Sequence, residues 1–109
     1  MTEAVKKLGA AMPTANTLQT LYSVPAARSA VISSIVICNQ SSRNALFRLS
    51  HAVAGAADTR AQYQYYDQFI PPKQTFIATI GMTAGASDVI RAQSDNSETS
   101  FTAYGSELT

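Results

Sequence analysis

The run from Ala30 to Asn39, AVISSIVICN, restricts the fold of this chain more than any other stretch. It is the longest apolar, β-branched run in the sequence, and turn-forming residues border it at both ends. β-Branched side chains favour an extended backbone, so the run predicts a strand. With a period of two, both faces of that strand are mainly apolar: Ala30, Ile32, Val36 and Cys38 on one side, and Val31, Ile35 and Ile37 on the other. A half-exposed strand alternates between apolar and polar residues, so we expect this one to be covered on both sides or to lie against a neighbouring subunit.

Six further short stretches carry the same strand-and-turn pattern. With the central run they predict about seven strands, at residues 17–24, 30–39, 44–51, 62–70, 74–80, 88–93 and 99–106. Short strands at regular spacing are typical of an all-β, antiparallel β-sandwich, and both a jelly-roll and an immunoglobulin-like topology fit the spacing. The predicted core consists of Leu21, Ile32, Val36, Phe47, Leu49, Phe76, Ile80, Val89 and Phe101.

Residues 1–16 differ from the rest of the chain. Lysines, small residues, a glycine and a proline follow one another there with no sustained period. We therefore predict an extended N-terminal arm at residues 1–16, disordered alone or laid on a neighbouring subunit, and a β-sandwich domain at residues 17–109. The candidate interface residues of the arm are Lys6, Lys7 and Leu8.

The composition limits the partners that this chain is expected to have. With 109 residues it is long enough for one domain with one modest core. The formal net charge of +1 gives no electrostatic reason to expect a nucleic acid or an anionic membrane as partner. Only 14% of the residues are charged, against about 25% in typical globular domains. A surface so poor in charge suggests that much of it is covered in an assembly. We expect a protein made in a cytoplasm, since no signal peptide or membrane span is visible.

The sequence offers little chemistry. Its single histidine, His51, ends a predicted strand, and the seven acidic residues are scattered singly. No phosphate-binding loop, zinc spacing or nucleotide fingerprint occurs. Asp95, Asn96 and Glu98 could supply oxygen ligands to calcium, but they lack the spacing of a calcium loop and suit a hairpin turn better. We therefore expect neither an enzyme nor a bound metal or cofactor.

Two features remain as candidates for binding. The tyrosines Tyr63, Tyr65 and Tyr66 could cap the core, anchor a protein interface or stack on a sugar, and the absence of tryptophan counts against the sugar. Cys38 is the only cysteine, so no intrachain disulfide can form. Its simplest role is that of a small buried apolar residue, and the alternative is a disulfide to another subunit.

Several short phrases occur in order from about Leu18 to the end of the sequence: LYSVPA at 21–26, VISSIVICN at 31–39, FRL at 47–49, YYD at 65–67, IPP at 70–72, TFIATIG at 75–81, SDVIR at 87–91 and FTAYGSE at 101–107. In these phrases the chain resembles a group of small structural proteins of tailed bacteriophages. The resemblance implies a β-sandwich that is a component of the virion and carries out no chemistry. The N-terminal arm lies outside the matching phrases.

From this resemblance we expect a capsid decoration or linking protein that stabilises the particle by binding neighbouring subunits. A collar, tail or baseplate protein that bridges to fibres is one alternative, and a glycan-binding host-recognition module is another. The expected partners are other virion proteins and further copies of the chain, with a trimer favoured, and the expected location is the virion, assembled in the host cytoplasm.

Overall fold

The structure is a computed structural model that describes residues 3–79 and 81–109. The described residues form nine strands: β1 Glu3–Ala11, β2 Gln19–Ser23, β3 Ser29–Asn39, β4 Ala45–Ala52, β5 Tyr63–Ile70, β6 Thr75–Ala78, β7 Met82–Ala84, β8 Val89–Ser94 and β9 Thr99–Leu108. Two short 3₁₀ turns, Val53–Gly55 and Arg60–Gln62, lie between β4 and β5. All seven predicted strands are present, with ends that differ by one to a few residues. β1 and β7 are additional, and β7 lies between the predicted strands at residues 74–80 and 88–93.

The strands form two antiparallel sheets packed as a sandwich. Sheet 1 has the order β1-β9-β3-β6, and β7 pairs with β3 beside β6. Sheet 2 has the order β2-β8-β4-β5. β6 and β7 follow one another along the same edge of β3, at residues 35–38 and 30–32 respectively. The chain crosses between the sheets at most connections, which is the order of a jelly roll. The predicted sandwich is confirmed, and its strand order is that of the jelly roll rather than the immunoglobulin fold.

Side chains from both sheets meet in one core. The ring of Phe47 in sheet 2 lies 6.1 Å from that of Phe101 and 5.4 Å from that of Phe76, both in sheet 1. Five predicted core residues are buried: Leu21, Ile32, Phe47, Leu49 and Phe101. Phe76 is half-buried and packs against them. Val36 and Val89 are partly exposed, so these two assignments are wrong, and Ile80 lies outside the described residues.

A β-bulge in β3 explains the error at Val36. The register with β9 shifts between Ile32 and Ser34, which leaves Ser33 as an extra residue. The inward-facing positions therefore change from even to odd numbers along the strand: Ala30 and Ile32 are buried before the bulge, and Ile35, Ile37 and Asn39 after it. A reading with an uninterrupted period of two assigns every residue after Ser33 to the wrong face.

The N-terminal segment belongs to the sandwich. Glu3–Ala11 pairs with β9 as the edge strand β1, with a register shift at Leu8. Leu8 and Ala11 pack against the core. Gly9 approaches β2 so closely that a Cβ atom would fall on the carbonyl oxygen of Leu21. The structure thus differs from the predicted division into an arm at residues 1–16 and a sandwich at 17–109. Met1 and Thr2, which begin the predicted arm, lie outside the described residues.

Across residues 3–79 and 81–109, no helix has the length and apolar character needed to cross a bilayer.

Candidate interaction surfaces

Strand β5 separates the three tyrosines that the sequence groups together. Tyr65 points into the sandwich, with its ring centroid 5.5 Å from the rings of both Phe47 and Phe76. Tyr66 points outward and is 43% exposed. The ring of Tyr63 packs edge-on against that of Tyr66, with the centroids 5.2 Å apart. Tyr63 and Tyr66 therefore form a surface, while Tyr65 contributes to the interior.

Two register shifts between β4 and β5 set these faces. The first lies between Tyr63 and Tyr65 and turns these two residues to opposite sides. The second lies between Tyr65 and Gln68, where Asp67 adopts a left-handed φ of 57°. After the shift, Ile70 is buried and Phe69 is 49% exposed. An uninterrupted period of two would place Phe69 on the same face as Tyr65, and the bulge at Asp67 reverses this, as in β3.

Arginines enclose the exposed tyrosine. The guanidinium carbon of Arg48 lies 4.0 Å from the centroid of the Tyr66 ring, and that of Arg60 lies 5.0 Å from it. Nε and Nη2 of Arg48 donate hydrogen bonds to the two carboxylate oxygens of Asp67, at 2.7 and 3.2 Å. We call Arg48, Arg60, Tyr63, Tyr66 and Asp67 the tyrosine–arginine cluster. The two-point bond fixes the guanidinium plane of Arg48 against the ring.

The ionisation of this cluster is set by its own hydrogen bonds. The bond to Asp67 raises the pKa of Arg48, and the same bond lowers the pKa of Asp67. The hydroxyl of Tyr63 donates to Asp58 at 3.0 Å. Burial, followed by this bond, raises the pKa of Tyr63. At neutral pH the cluster therefore presents an ion pair between Arg48 and Asp67 and a protonated Tyr63 hydroxyl.

A shallow cleft lies beside the cluster. Its volume is about 220 Å³, and its lining consists of Asn16, Leu46, Arg48, Asp67, Gln93 and Asp95. Leu46 and Phe69 are cross-strand partners on the same outward side of sheet 2, and they are 37% and 49% exposed. The outer face of sheet 2 thus combines charged, amide and apolar groups within one surface.

The outer face of sheet 1 has a different composition. The strand registers place one set of residues on it: Glu3, Val5, Lys7, Ala10, Ser29, Val31, Ser34, Val36, Cys38, Thr75, Ile77, Thr83, Ser100, Thr102, Tyr104, Ser106 and Leu108. Val5, Ile77 and Tyr104 are 81%, 59% and 42% exposed. The charged residues of this set, Glu3 and Lys7, both lie on the edge strand β1. We call this set of residues the uncharged face, because its positions on β3, β6, β7 and β9 carry no charged residue.

The candidate interface residues of the predicted arm diverge. Lys7 lies on the uncharged face as the cross-strand partner of Tyr104, and Leu8 is half-buried against the core. Lys6 turns inward, with Nζ 2.9 Å from a carboxylate oxygen of Glu107. Cys38 is a half-buried free thiol on the uncharged face, so it is not the buried apolar residue of the simplest prediction.

Glu107 is a carboxylate buried where β1, β2 and β9 meet. Besides the ion pair with Lys6, it accepts hydrogen bonds from the hydroxyl of Tyr22 at 2.5 Å and from Nη1 of Arg28 at 3.0 Å. The bonds from Tyr22 and Lys6 outweigh the effect of burial and lower the pKa of Glu107 to about 2. Burial, followed by the bond to Glu107, raises the pKa of Tyr22. These bonds of Glu107 connect β1 and β9 of sheet 1 to β2 of sheet 2.

His51 has a structural partner. Its Nε2 lies 2.8 Å from Oδ2 of Asp88, which also accepts hydrogen bonds from the backbone N–H groups of Ala54 and Gly85. Burial raises the pKa of Asp88, but these three bonds outweigh it and hold the value below the usual range. The carboxylate therefore fastens the connections that follow β4 and β7 to the end of the sandwich.

The residues considered for calcium form the connection between β8 and β9. Asn96 is buried; its Nδ2 donates to the hydroxyl of Ser41 at 2.5 Å and its Oδ1 accepts from the backbone of Glu98 at 2.9 Å. Oδ1 of Asp95 accepts from the backbone of Leu46 at 2.9 Å. In the described part of the chain, no group of three or more His, Cys, Asp or Glu side chains could hold a metal ion.

Sequence reasoning missed the arginines of the cluster and the role of Glu107. Arg48, Arg60 and Tyr66 come from β4, a 3₁₀ turn and β5, so no local spacing joins them. Glu107 is separated by 85 residues from Tyr22. The signal for the uncharged face was present, because the run at 30–39 is apolar on both of its faces.

Neither a family model nor a curated protein matches this sequence. Among solved structures, a chain from the structure of the Gx strain of infectious bursal disease virus is similar in fold, with a TM-score of 0.51 and 12% identity. The match covers 98% of this chain and 32% of that chain, so this chain spans about a third of its length. Because the match covers nearly the whole chain, the likeness extends over both sheets.

Proposed function

We propose that this protein is a structural component of a virus particle and that it acts by binding other particle proteins. The observation that carries the proposal is the jelly-roll sandwich, which comprises nearly the whole chain. A chain of a viral structure matches 98% of this chain in fold. Jelly rolls occur in viral capsid domains and in lectins. The proposed location is the virion.

Within the particle, we assign the chain to the capsid decoration or linking proteins of a tailed bacteriophage. The support is the ordered series of sequence phrases from Leu18 onward, which resembles small virion proteins of this kind. Such a protein stabilises the particle by bridging neighbouring subunits. A collar, tail or baseplate protein that bridges to fibres is the alternative that the same phrases allow.

The tyrosine–arginine cluster is the surface that we propose for contact with another virion protein. Tyrosine and arginine are enriched in the central residues of interfaces, where a large rigid side chain loses little conformational freedom on binding. The bonds of Arg48 to Asp67 and its stacking on Tyr66 already fix these side chains. Association therefore has a smaller entropic cost than it would for mobile arginines.

The test is the location of the protein in purified particles. Virions from the phage that encodes this sequence would be banded on a density gradient and labelled with gold-conjugated antibody against the purified protein. Label over the heads is the expected result. Label confined to the collar or tail would replace the decoration role by its alternative, and absence from banded, intact particles would overturn the proposal.

The cleft on sheet 2 favours a second candidate function, the binding of a host glycan. Amide, carboxylate and guanidinium groups of Asn16, Gln93, Asp95 and Arg48 converge there, and they suit the hydroxyl groups of a sugar. A glycan array probed with the purified protein and with Gln93→Ala tests this function. Binding that the substitution abolishes would support the glycan module, and the absence of binding to any glycan would exclude it.

A further inference from the structure

We propose that the uncharged face binds a second copy of this chain, face to face about a two-fold axis. The inference deepens the proposed function, on which its biological role rests, because it assigns one surface of a particle protein to self-association. The tyrosine–arginine cluster, on the opposite sheet, stays free for a different protein.

The composition of the uncharged face is unusual for a sheet surface in contact with water. An antiparallel sheet that packs on one side is usually polar on the other. Here the outward positions include Val5, Val36, Ile77 and Tyr104, with threonine and serine between them, and the charged positions are confined to the edge strand β1. Ile77 lies beside Val36 and is 59% exposed. Contact with another protein would remove this apolar area from water.

The opposite face of the same molecule provides an internal comparison. The outer side of sheet 2 carries Arg48, Asp67 and Arg91 along its strands. The charges of sheet 2 thus lie on β4, β5 and β8, whereas the charged positions of the uncharged face are confined to the edge strand β1. A protein that binds a second copy of itself through one face only is expected to differ in this way between its two faces.

The size of the face fits a second copy. Its strands have 9, 10 and 11 residues, and β6 and β7 together add 4 and 3 along the far edge; at about 4.8 Å between strands and about 3.3 Å per residue, they give an area of roughly 600 Å². Stable interfaces begin at about 600 Å² per partner, so an occupant must cover the whole face. An equal sheet face does so, whereas a single peptide strand or a small ligand does not.

The charge of the face also favours the same chain as occupant. With one acidic and one basic residue, both on β1, the face offers little to a partner that relies on charge complementarity. It also meets little like-charge repulsion from its own copy. A two-fold axis parallel to β3 and β9 places Lys7 of one copy over the β6 edge of the other, so that the two lysines lie apart.

Ile77→Lys tests the contact, and Val53→Lys is the matched control. Val53 is 67% exposed and lies outside the uncharged face. Light scattering at tens of micromolar is expected to give the mass of two chains for the wild type and for Val53→Lys. For Ile77→Lys we expect a monomer, with the dissociation constant raised roughly tenfold or more by the lysine that would have to be desolvated. Circular dichroism would establish that each variant is folded.

Val36→Lys, on the neighbouring strand, repeats the test at a second position. A monomeric wild type at these concentrations would overturn the inference. So would a trimer, or a dimer that neither Ile77→Lys nor Val36→Lys weakens.

Cys38 gives an independent reading of the same contact. It lies on the uncharged face and is the only thiol of the chain. A short bis-maleimide is expected to link two wild-type chains and to fail to link chains of Ile77→Lys. It is also expected to fail with the double variant Cys38→Ser/Val53→Cys, in which the thiol lies outside the uncharged face. A wild-type dimer that the reagent does not link would overturn the face-to-face arrangement.

The outcomes separate this inference from the proposed function. A monomeric protein that is nevertheless found on virions would overturn the self-contact alone. A dimer that uses the uncharged face but is absent from virions would overturn the particle role alone.

Discussion

Glu107 shows how a single buried charge can join the end of the chain to its beginning. It accepts from Tyr22, Lys6 and Arg28, whose atoms come from β2, β1 and the turn before β3. Buried bonds to a charged group contribute about 1.5–3 kcal/mol each, but Lys6 and Arg28 are 46% and 43% exposed, so solvent screens their share. Replacing the carboxylate removes mainly the bond from the Tyr22 hydroxyl.

We expect Glu107→Gln to lower the free energy of unfolding by about 2 kcal/mol at neutral pH, measured by urea denaturation. The folded-state pKa of about 2 lies below the ordinary value of 4.5. The stabilisation is therefore fully present above about pH 5 and is lost as the pH falls towards 2. The difference between wild type and variant should shrink at about pH 3; an unchanged difference there would contradict the assignment.

At Gly105, any residue with a side chain would force the backbone to move. A Cβ atom at this position would fall on the carbonyl oxygen of Val31 and lie 2.9 Å from the Cα of Ile32, beside the bulge of β3. We expect Gly105→Ala to cost about 2 kcal/mol or more, because neither neighbour can turn away. Gly85→Ala is the control, since its Cβ would meet only Asp88 Oδ2 at 3.9 Å. Equal midpoints in thermal unfolding would refute the clash.

At the scale of the strand, the bulge in β3 decides which residues are in the core. Ile35 is fully buried and Val36 is only half-buried. We therefore expect Ile35→Ala to cost about 2–5 kcal/mol and Val36→Ala less than about 1 kcal/mol. Unfolding would be followed at dilute protein concentration so that self-association does not contribute. The reverse order would show that β3 keeps an uninterrupted period.

The edge strand β1 supports a second prediction at this scale. A chain that lacks residues 1–11 leaves one side of β9 unpaired, uncovers part of the core beneath Leu8 and Ala11, and removes Lys6 from Glu107. We expect the truncated chain to unfold at a clearly lower urea concentration than the full chain. A detached arm predicts no change, so an unaltered midpoint would restore the arm of the sequence analysis.

The sequence predicted the strands better than it predicted their faces. β-Branched runs and turn residues mark an extended segment locally, which is why all seven expected strands are present. A bulge depends on a partner strand far along the chain, so Ser33 and Asp67 gave no local sign that the inward side would change. β1 was missed because an edge strand that mixes lysines with small residues has no apolar period.

For the molecule as a whole, the two outer faces are expected to bind different partners. Tyr66→Ala removes the ring on which Arg48 and Arg60 stack. We expect it to weaken rebinding to virions stripped of this protein roughly tenfold or more, while the mass of the free protein in solution stays that of the wild type. Ile77→Lys, in contrast, should reduce the mass of the free protein in solution to that of one chain. Loss of both properties in Tyr66→Ala would show that the faces are not independent.

The candidate surfaces could be predicted only in part. The tyrosines were identified because exposed aromatics are informative in any sequence, but the placement of Tyr63 outside and Tyr65 inside depends on the register shift between them in β5. The arginines come from separate segments and meet only when sheet 2 forms. The uncharged face was anticipated at one strand, and the adjoining positions on β1, β6 and β9 required the registers.

The pairing of Glu3 with Leu108 has a mechanical consequence. Because β1 and β9 are antiparallel neighbours, a force that separates the two ends of the molecule acts on one rung of the ladder at a time, as when a zipper is opened. A load carried through the faces is instead shared by many contacts at once. If this protein reinforces a shell against internal pressure, the load would be carried by contacts through the two sheet faces. A small force applied to both terminal strands would instead separate β1 from β9.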